Sequence, residues 1–126
     1  MSVPILKQGT YLIASIQSAM TDSEALSLQD DLMDQVSRYR SRGIIVDVTA
    51  LDVMDSFAAR SLRTIAHMTD LRGAVTVIVG IQAEVAFAMV QLGMSLEDVH
   101  TALDLEEGLA FLDQRTRNWG GDGRGG

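Results

Sequence analysis

Three short runs of apolar and mostly β-branched residues constrain the fold of this 126-residue chain more than any other feature. They occupy residues 11–16, 44–48 and 75–81, and each has the length of a strand. The second and third are almost continuously apolar, which is typical of strands buried on both faces of a sheet. Because helical patterns separate the runs, the sequence predicts a mostly parallel sheet whose strands are connected by helices.

Four segments carry apolar side chains at the spacing of an amphipathic helix. In chain order, these positions are Leu28, Leu32, Val36 and Tyr39; Ala58, Leu62, Ile65 and Thr69; Val85, Met89 and Leu92; and Leu105, Leu109 and Leu112. A glycine follows each of the first three patterns, at Gly43, Gly73 and Gly93. Since glycine adopts left-handed backbone at little cost, these glycines predict the ends of three helices.

The beginnings of the first and last helices also carry a sequence signal. Thr21 is followed three residues later by Glu24, and Asp104 is followed in the same way by Glu107. In such a capping box, each side chain accepts a hydrogen bond from the backbone of the other residue. We therefore expect the first helix to begin after Thr21 and the last to begin after Asp104.

Two weaker strands complete the predicted sheet, at residues 99–103 and 3–6. Pro4 lies in the second of these, and proline is tolerated in an edge strand but not in a central one. The predicted class is therefore α/β, with a mixed, mostly parallel sheet of four to five strands covered by four helices. Residues 1–117 are expected to form one domain, and residues 118–126 a flexible glycine-rich tail.

Composition restricts the classes of partner and chemistry. The net charge of −7 disfavours nucleic acid and anionic lipid and favours basic protein surfaces. The absence of cysteine excludes disulfides, thiolate metal sites and cysteine nucleophiles, and it fits a cytoplasmic protein. Neither a signal peptide nor an apolar run of about 20 residues is present, so no membrane span is expected.

Residues 44–60, which read IIVDVTALDVMDSFAAR, contain the most informative candidate site. A buried strand is followed by a loop with Asp47, Asp52 and Asp55, and Ser56 then begins a helix. In parallel α/β sheets, ligands and chemistry gather beyond the carboxyl ends of the strands. The segment is therefore expected at the functional edge of the sheet.

Two interpretations of Ser56 follow from its position. A phosphate at a helix start meets free backbone N–H groups and a partial positive charge, so it would leave the fold intact. It would also add roughly −1.5 to −2 charges beside Asp55 and Asp52, which would change the surface strongly. The plainer alternative is an ordinary helix cap, a role that Asp55 could serve equally well.

The run from Asp47 to Arg60, DVTALDVMDSFAAR, resembles the phosphorylation segment of STAS domains, the anti-anti-sigma factor family. Asp55-Ser56 lies where that family has its phosphoacceptor. The likeness extends over residues 3–112. Within the family, the chain resembles most specifically the RsbS-like members, the small scaffold subunits of bacterial stressosomes. The further matching segments are VPILK at 3–7, Ile16-Gln17, GIQAEVA at 80–86 and TALDLEEGL at 101–109.

This resemblance implies a single non-catalytic STAS domain, without cofactor or metal, that acts in stress signalling. It implies that an RsbT-type serine/threonine kinase binds a surface comprising Asp52, Asp55, Ser56 and Phe57, and that phosphorylation of Ser56 releases the kinase. A phosphatase would then reset the site. RsbR-like STAS paralogues, a homodimer and a larger cytoplasmic assembly are the other partners that the resemblance implies.

Three alternatives compete with this interpretation. A receiver domain phosphorylated on Asp47 would need an acidic pair after the first strand, where the chain has Gln17-Ser18-Ala19. A hydrolase using Ser56 would need a base, and His67 and His100 are the two histidines. Within the STAS class, the chain could instead be a simple anti-anti-sigma factor that binds an anti-sigma kinase, or a subunit of a lipid transporter.

Overall fold

Five strands form one mixed sheet whose spatial order, β1-β2-β3-β4-β5, follows the chain. The computed structural model describes residues 3–93 and 99–123, and of residues 117–123 it describes the backbone alone. The strands are β1 (Ile5–Gln8), β2 (Tyr11–Ser15), β3 (Gly43–Asp47), β4 (Val75–Val79) and β5 (His100–Ala102). The first pair is antiparallel and the other three pairs are parallel, as the sequence predicts.

Four helices cover the two faces of this sheet. They are α1 (Asp22–Tyr39), α2 (Ser56–Leu71), α3 (Ala83–Gln91) and α4 (Leu105–Gly123). Side chains of α1, α2 and α3 join one core cluster, whereas Leu112 of α4 belongs to a second cluster on the opposite face. The predicted α/β class and the alternation of elements are confirmed. In the described part of the chain, no helix is long and apolar enough to cross a bilayer.

Strand β3 separates the two cores because its successive side chains point to opposite faces. Ile44 and Val46 belong to the cluster under α1, α2 and α3, and Ile45 belongs to the cluster under α4. All three side chains are fully buried. This burial on both faces explains why the sequence of β3 is nearly continuous in apolarity.

The first helix begins as predicted but ends differently. Thr21 and Glu24 form the expected capping box, in which each side chain accepts a hydrogen bond from the other residue's backbone N–H. Gly43 does not end this helix, so that prediction is wrong: Arg40 takes the left-handed position, with φ 51°, and Gly43 is the first residue of β3. A Cβ there would lie 2.8 Å from the Cδ atoms of Leu112 of α4, so a larger residue would displace that buried side chain.

The other predicted helix ends agree better with the structure. Gly73 and Gly93 directly follow the C-caps of α2 and α3 and have φ values of 82° and 84°. The Asp104 carboxylate accepts a hydrogen bond from the backbone N–H of Glu107 at 2.9 Å, as expected at the start of α4. The second bond of the predicted capping box differs, because the Glu107 carboxylate accepts from the backbone N–H of Leu103 at 2.9 Å. The backbone of α4 is helical to Gly123, and residues 124–126 lie outside the described residues. The domain boundary at residue 117 and the flexible tail therefore stay predictions.

Tyr11 connects the sheet to α4 through its phenol group. The hydroxyl donates to a carboxylate oxygen of Asp113 at 2.6 Å and lies 3.0 Å from the hydroxyl of Thr116. Burial and the hydrogen bond to Asp113 raise the pKa of Tyr11. These contacts position the last helix over β2 in addition to the apolar packing of Leu112.

We expect Tyr11→Phe to lower the free energy of unfolding by about 1 kcal/mol, because it removes the hydroxyl from this network. Tyr39→Phe is the matched control, since Tyr39 is 43% exposed and its ring contact with Lys7 survives the change. Urea unfolding of both variants measures the difference. Equal losses would contradict a structural role for the Tyr11 hydroxyl.

Candidate functional site

The parallel register brings three loops together at one edge of the sheet. Ser15 of β2 pairs with Asp47 of β3, and Asp47 pairs with Val79 of β4. The chain therefore leaves all three strands at the same level. The loop of residues 48–55 occupies the middle of this edge, and we call it the acceptor loop because it leads into Ser56.

Two side chains, Asp47 at the end of β3 and Gln82 after β4, hold the beginning of the acceptor loop by hydrogen bonds. The Asp47 carboxylate accepts hydrogen bonds from the backbone N–H and the hydroxyl of Thr49, at 2.9 and 2.6 Å. The side-chain amide of Gln82 donates to the Thr49 carbonyl at 2.9 Å. Gly80, with φ 77°, passes so close to Thr49 that a Cβ would lie 3.0 Å from its Cα and collide with its hydroxyl. The loop is thus fixed to the end of β4.

Asp55, and not Ser56, is the N-cap of α2. Its carboxylate accepts a hydrogen bond from the backbone N–H of Ala58 at 2.8 Å. Ser56 is the first helical residue, so its hydroxyl is not used as the cap. Of the two cap assignments left open by the sequence, the structure supports the one on Asp55.

The four residues predicted to form the kinase surface lie together. Asp52 and Asp55 are exposed, and Ser56 and Phe57 are half-buried. Phe57 packs against the larger core cluster, so the first turn of α2 is anchored while its serine stays accessible. Val53, which the sequence analysis did not single out, is 60% exposed between the two aspartates. The available sequence signal for it was a β-branched residue between two aspartates of a predicted loop.

Asp47 has a structural role that does not suit the receiver alternative. One of its carboxylate oxygens accepts both hydrogen bonds from Thr49, so the group is part of the loop's own turn. Among the residues that the structure describes, no three acidic, histidine or cysteine side chains cluster closely enough to hold a metal ion. The structure does not bring Asp47 together with a magnesium-binding acidic pair in that part of the chain.

Both histidines lie at the opposite edge of the sheet from Ser56. His67 is eleven residues after Ser56 on α2, a distance of about 16 Å along the helix axis. His67 and His100 line one cavity with Asp70 and Arg115, near the amino ends of β4 and β5. Burial and the Arg115 charge lower the pKa of His100, against a smaller opposite effect of Asp70. Neither histidine is placed to serve as a base for Ser56.

The profile of the STAS domain family matches residues 2–108. The chain belongs to the STAS family. This match spans the larger core cluster, the acceptor loop and the start of α4. It confirms the resemblance that the acceptor segment carries.

Two solved STAS structures are similar over nearly their whole length. RsbS of Moorella thermoacetica, with one serine replaced by glutamate, is 32% identical with a TM-score of 0.82, covering 91% of this chain and 97% of that one. A chain of the stressosome, termed a signal integration and transduction hub, is 30% identical with a TM-score of 0.75, covering 90% and 99%. The STAS domain described here is therefore related to stressosome components.

A curated relative supports the same branch of the family. The RsbT co-antagonist protein RsbRA of Bacillus subtilis (strain 168) is 25% identical over 107 residues, which make up 85% of this chain. The match covers 38% of RsbRA, so this STAS chain spans well under half the length of that relative. The comparisons thus relate the chain to RsbS-like and RsbR-like antagonists in stress signalling.

We expect Asp55→Ala to lower the free energy of unfolding by about 1 kcal/mol, because it removes the N-cap of α2. Asp52→Ala removes the same charge from an exposed position of the same loop, and we expect it to change stability by less than about 0.5 kcal/mol. Thermal and urea unfolding of the two variants distinguish the effect of losing the cap from the effect of losing the charge. Equal effects of the two variants would exclude a capping role for Asp55.

Gly80→Ala should destabilise the protein by about 1 kcal/mol or more beyond Gly73→Ala. Both positions have left-handed backbone, but a Cβ at Gly73 meets open space, whereas one at Gly80 collides with Thr49. Urea unfolding and the amide NMR shifts of residues 48–55 measure the effect. If both alanine variants lost the same stability and left those shifts unchanged, the proposed contact would not hold the acceptor loop.

Proposed function

We propose that the chain is a non-catalytic scaffold of the RsbS type that binds and sequesters an RsbT-type serine/threonine kinase and releases it when Ser56 is phosphorylated. The single observation that supports this proposal is the position of the Ser56 side chain. It is half-buried at the first position of α2, while Asp55 caps the helix in its place. The hydroxyl therefore does not cap the helix and is accessible for modification.

The local electrostatics suit a switch that leaves the fold unchanged. The amino end of α2 offers backbone N–H groups and a partial positive charge to a phosphate on Ser56. The same phosphate would add roughly −1.5 to −2 charges next to Asp55 and near the exposed Asp52. Folding would be little affected, whereas a partner bound to this surface would meet a much stronger negative field.

The kinase surface that we propose comprises Asp52, Val53, Asp55, Ser56 and Phe57. Its exposed carboxylates would steer a basic patch of the kinase, and the exposed Val53 would supply apolar contact. Phe57 is anchored in the core cluster and would keep the serine at a fixed height above the sheet edge. A rigid surface of this kind costs little entropy on binding.

Assembly is the second part of the proposal. Similarity to a stressosome chain and to RsbRA supports assembly with RsbR-like paralogues into a larger complex. A homodimer and a cytoplasmic location are the further parts of this proposal. A phosphatase would remove phosphate from Ser56 and restore kinase binding. In this arrangement the STAS domain supplies a binding surface and a phosphoacceptor, and the kinase supplies the chemistry.

Incubating the chain with a cognate RsbT-type kinase, ATP and magnesium should place phosphate on Ser56, as read by tandem mass spectrometry. Ser56→Ala should abolish most of the labelling and leave folding and kinase binding intact. Ser18→Ala is the matched control, because Ser18 is exposed in the loop after β2 at the same edge of the sheet. Unchanged labelling of Ser56→Ala would refute the site.

The release of the kinase is tested by measuring its affinity for variants of Ser56. Ser56→Asp should weaken kinase binding by about tenfold or more, because it adds a charge at the centre of the proposed surface. Ser56→Asn provides a side chain of similar size without the charge, and its affinity should stay close to that of the unmodified protein. If aspartate and asparagine weakened binding equally, shape rather than charge would control release.

A further inference from the structure

A cavity of about 540 Å³ lies at the edge of the sheet opposite Ser56. It forms where α1 and α2 end and where the chain enters β3. Three arginines line it, together with two serines, one valine and one glycine; these residues are Arg40, Arg42, Arg72, Ser37, Ser41, Val36 and Gly73. We call this site the arginine cavity.

The charge of the arginine cavity is opposite to that of the whole protein. The chain has ten basic and seventeen acidic residues, yet three of the basic ones surround this one cavity. In the described parts of the chain, none of the three guanidinium groups forms an ion pair; the ion pair found there joins Arg38 to Asp34. The three positive charges are therefore not neutralised by the described carboxylates.

Ser41 provides an independent sign of a ligand. Its side chain is 6% exposed, and its hydroxyl is buried without a hydrogen-bond partner among the described residues. The backbone N–H of Ser41 is satisfied by the carbonyl of Val36 at 3.2 Å, so the polar group left over is the hydroxyl, which is buried beside the cavity that Ser41 lines. Buried hydroxyls in folded proteins nearly always have a partner.

Helix electrostatics explain only part of this arrangement. Arg40 and Arg72 are the C-caps of α1 and α2, where a cation complements the negative end of the helix dipole. That effect does not account for the unpaired hydroxyl of Ser41. It also does not explain an arginine with φ 51° at position 40, where glycine would be the residue of least strain. Arg72 is further oriented by a hydrogen bond from its guanidinium to the hydroxyl of Ser37.

We propose that the arginine cavity binds the phosphate group of a small-molecule phosphate ester. Guanidinium groups donate paired hydrogen bonds that match phosphate oxygens, and the buried Ser41 hydroxyl, on rotating toward the cavity, would add one more donor. The site is open to solvent, and its volume exceeds what a bare anion fills, which leaves room for the organic part of an ester. The site is distinct from the acceptor loop, since it lies at the amino ends of the parallel strands.

Titration of the full chain with sodium phosphate and with glycerol phosphate tests this site, with sodium chloride at equal ionic strength as the reference. Amide NMR shifts should change at residues 40–43 and 72–73 and not in the acceptor loop. Arg72→Gln and Ser41→Ala should each weaken binding, Arg72→Gln by about tenfold. Arg63→Gln is the matched control, because Arg63 is exposed on α2 and does not line the cavity.

Arg40→Gly separates binding from folding. Glycine suits the left-handed backbone at this position, so the melting temperature should stay the same or rise while phosphate affinity falls. Phosphate that shifts these amides no more than chloride does would overturn the proposal. Equal weakening by Arg63→Gln and Arg72→Gln would also overturn it, because general charge screening would then explain the effect.

A second arm distinguishes a soluble phosphate ester from a lipid headgroup. Vesicles of phosphatidylglycerol, with phosphatidylcholine vesicles as reference, should not sediment the protein, since its net charge of −7 opposes an anionic surface. Arginine-dependent sedimentation with phosphatidylglycerol, without binding of glycerol phosphate, would overturn the assignment to a small molecule.

Discussion

Burial of β3 on both faces is the constraint on which the rest of this structure depends. Ile44 and Val46 pack under three helices, and Ile45 packs under the fourth. A strand buried on both faces favours parallel neighbours that are connected by helices crossing the sheet, since each face must be covered. Because these strands are parallel, the chain leaves each of them at the same edge of the sheet. The amino end of α2 lies at that edge.

This geometry separates the surface that we propose as a switch from the cores that maintain the fold. Ser56 begins α2 at the rim, whereas Ala58, Leu62 and Ile65 of the same helix are buried. A charge added at the first helical position meets the helix dipole and solvent rather than apolar side chains. A signalling protein can therefore gain and lose phosphate at such a position while its core packing stays the same.

The strands and helices could be predicted because their signals are local. Runs of β-branched residues, helical spacing and the Thr21–Glu24 pair are each contained within one element. The helix end predicted at Gly43 was wrong because the role of that glycine is not local. That glycine accommodates Leu112, nearly seventy positions later, and a neighbour so distant in sequence leaves no local pattern.

By itself, the sequence determined the α/β class, the order of elements, the acidic character of the surface and the segment that contains Ser56, because each depends on periodicity, composition or a continuous motif. Only the tertiary structure decided that Asp55 is the cap, that Gln82 and Gly80 hold the acceptor loop, and that three arginines surround Ser41. The cap was a choice between two adjacent residues that the local pattern left open, whereas the loop contacts and the arginine cavity join residues from different elements that the parallel pairing of strands brings together. Distances across a fold depend on that pairing and not on neighbours along the chain.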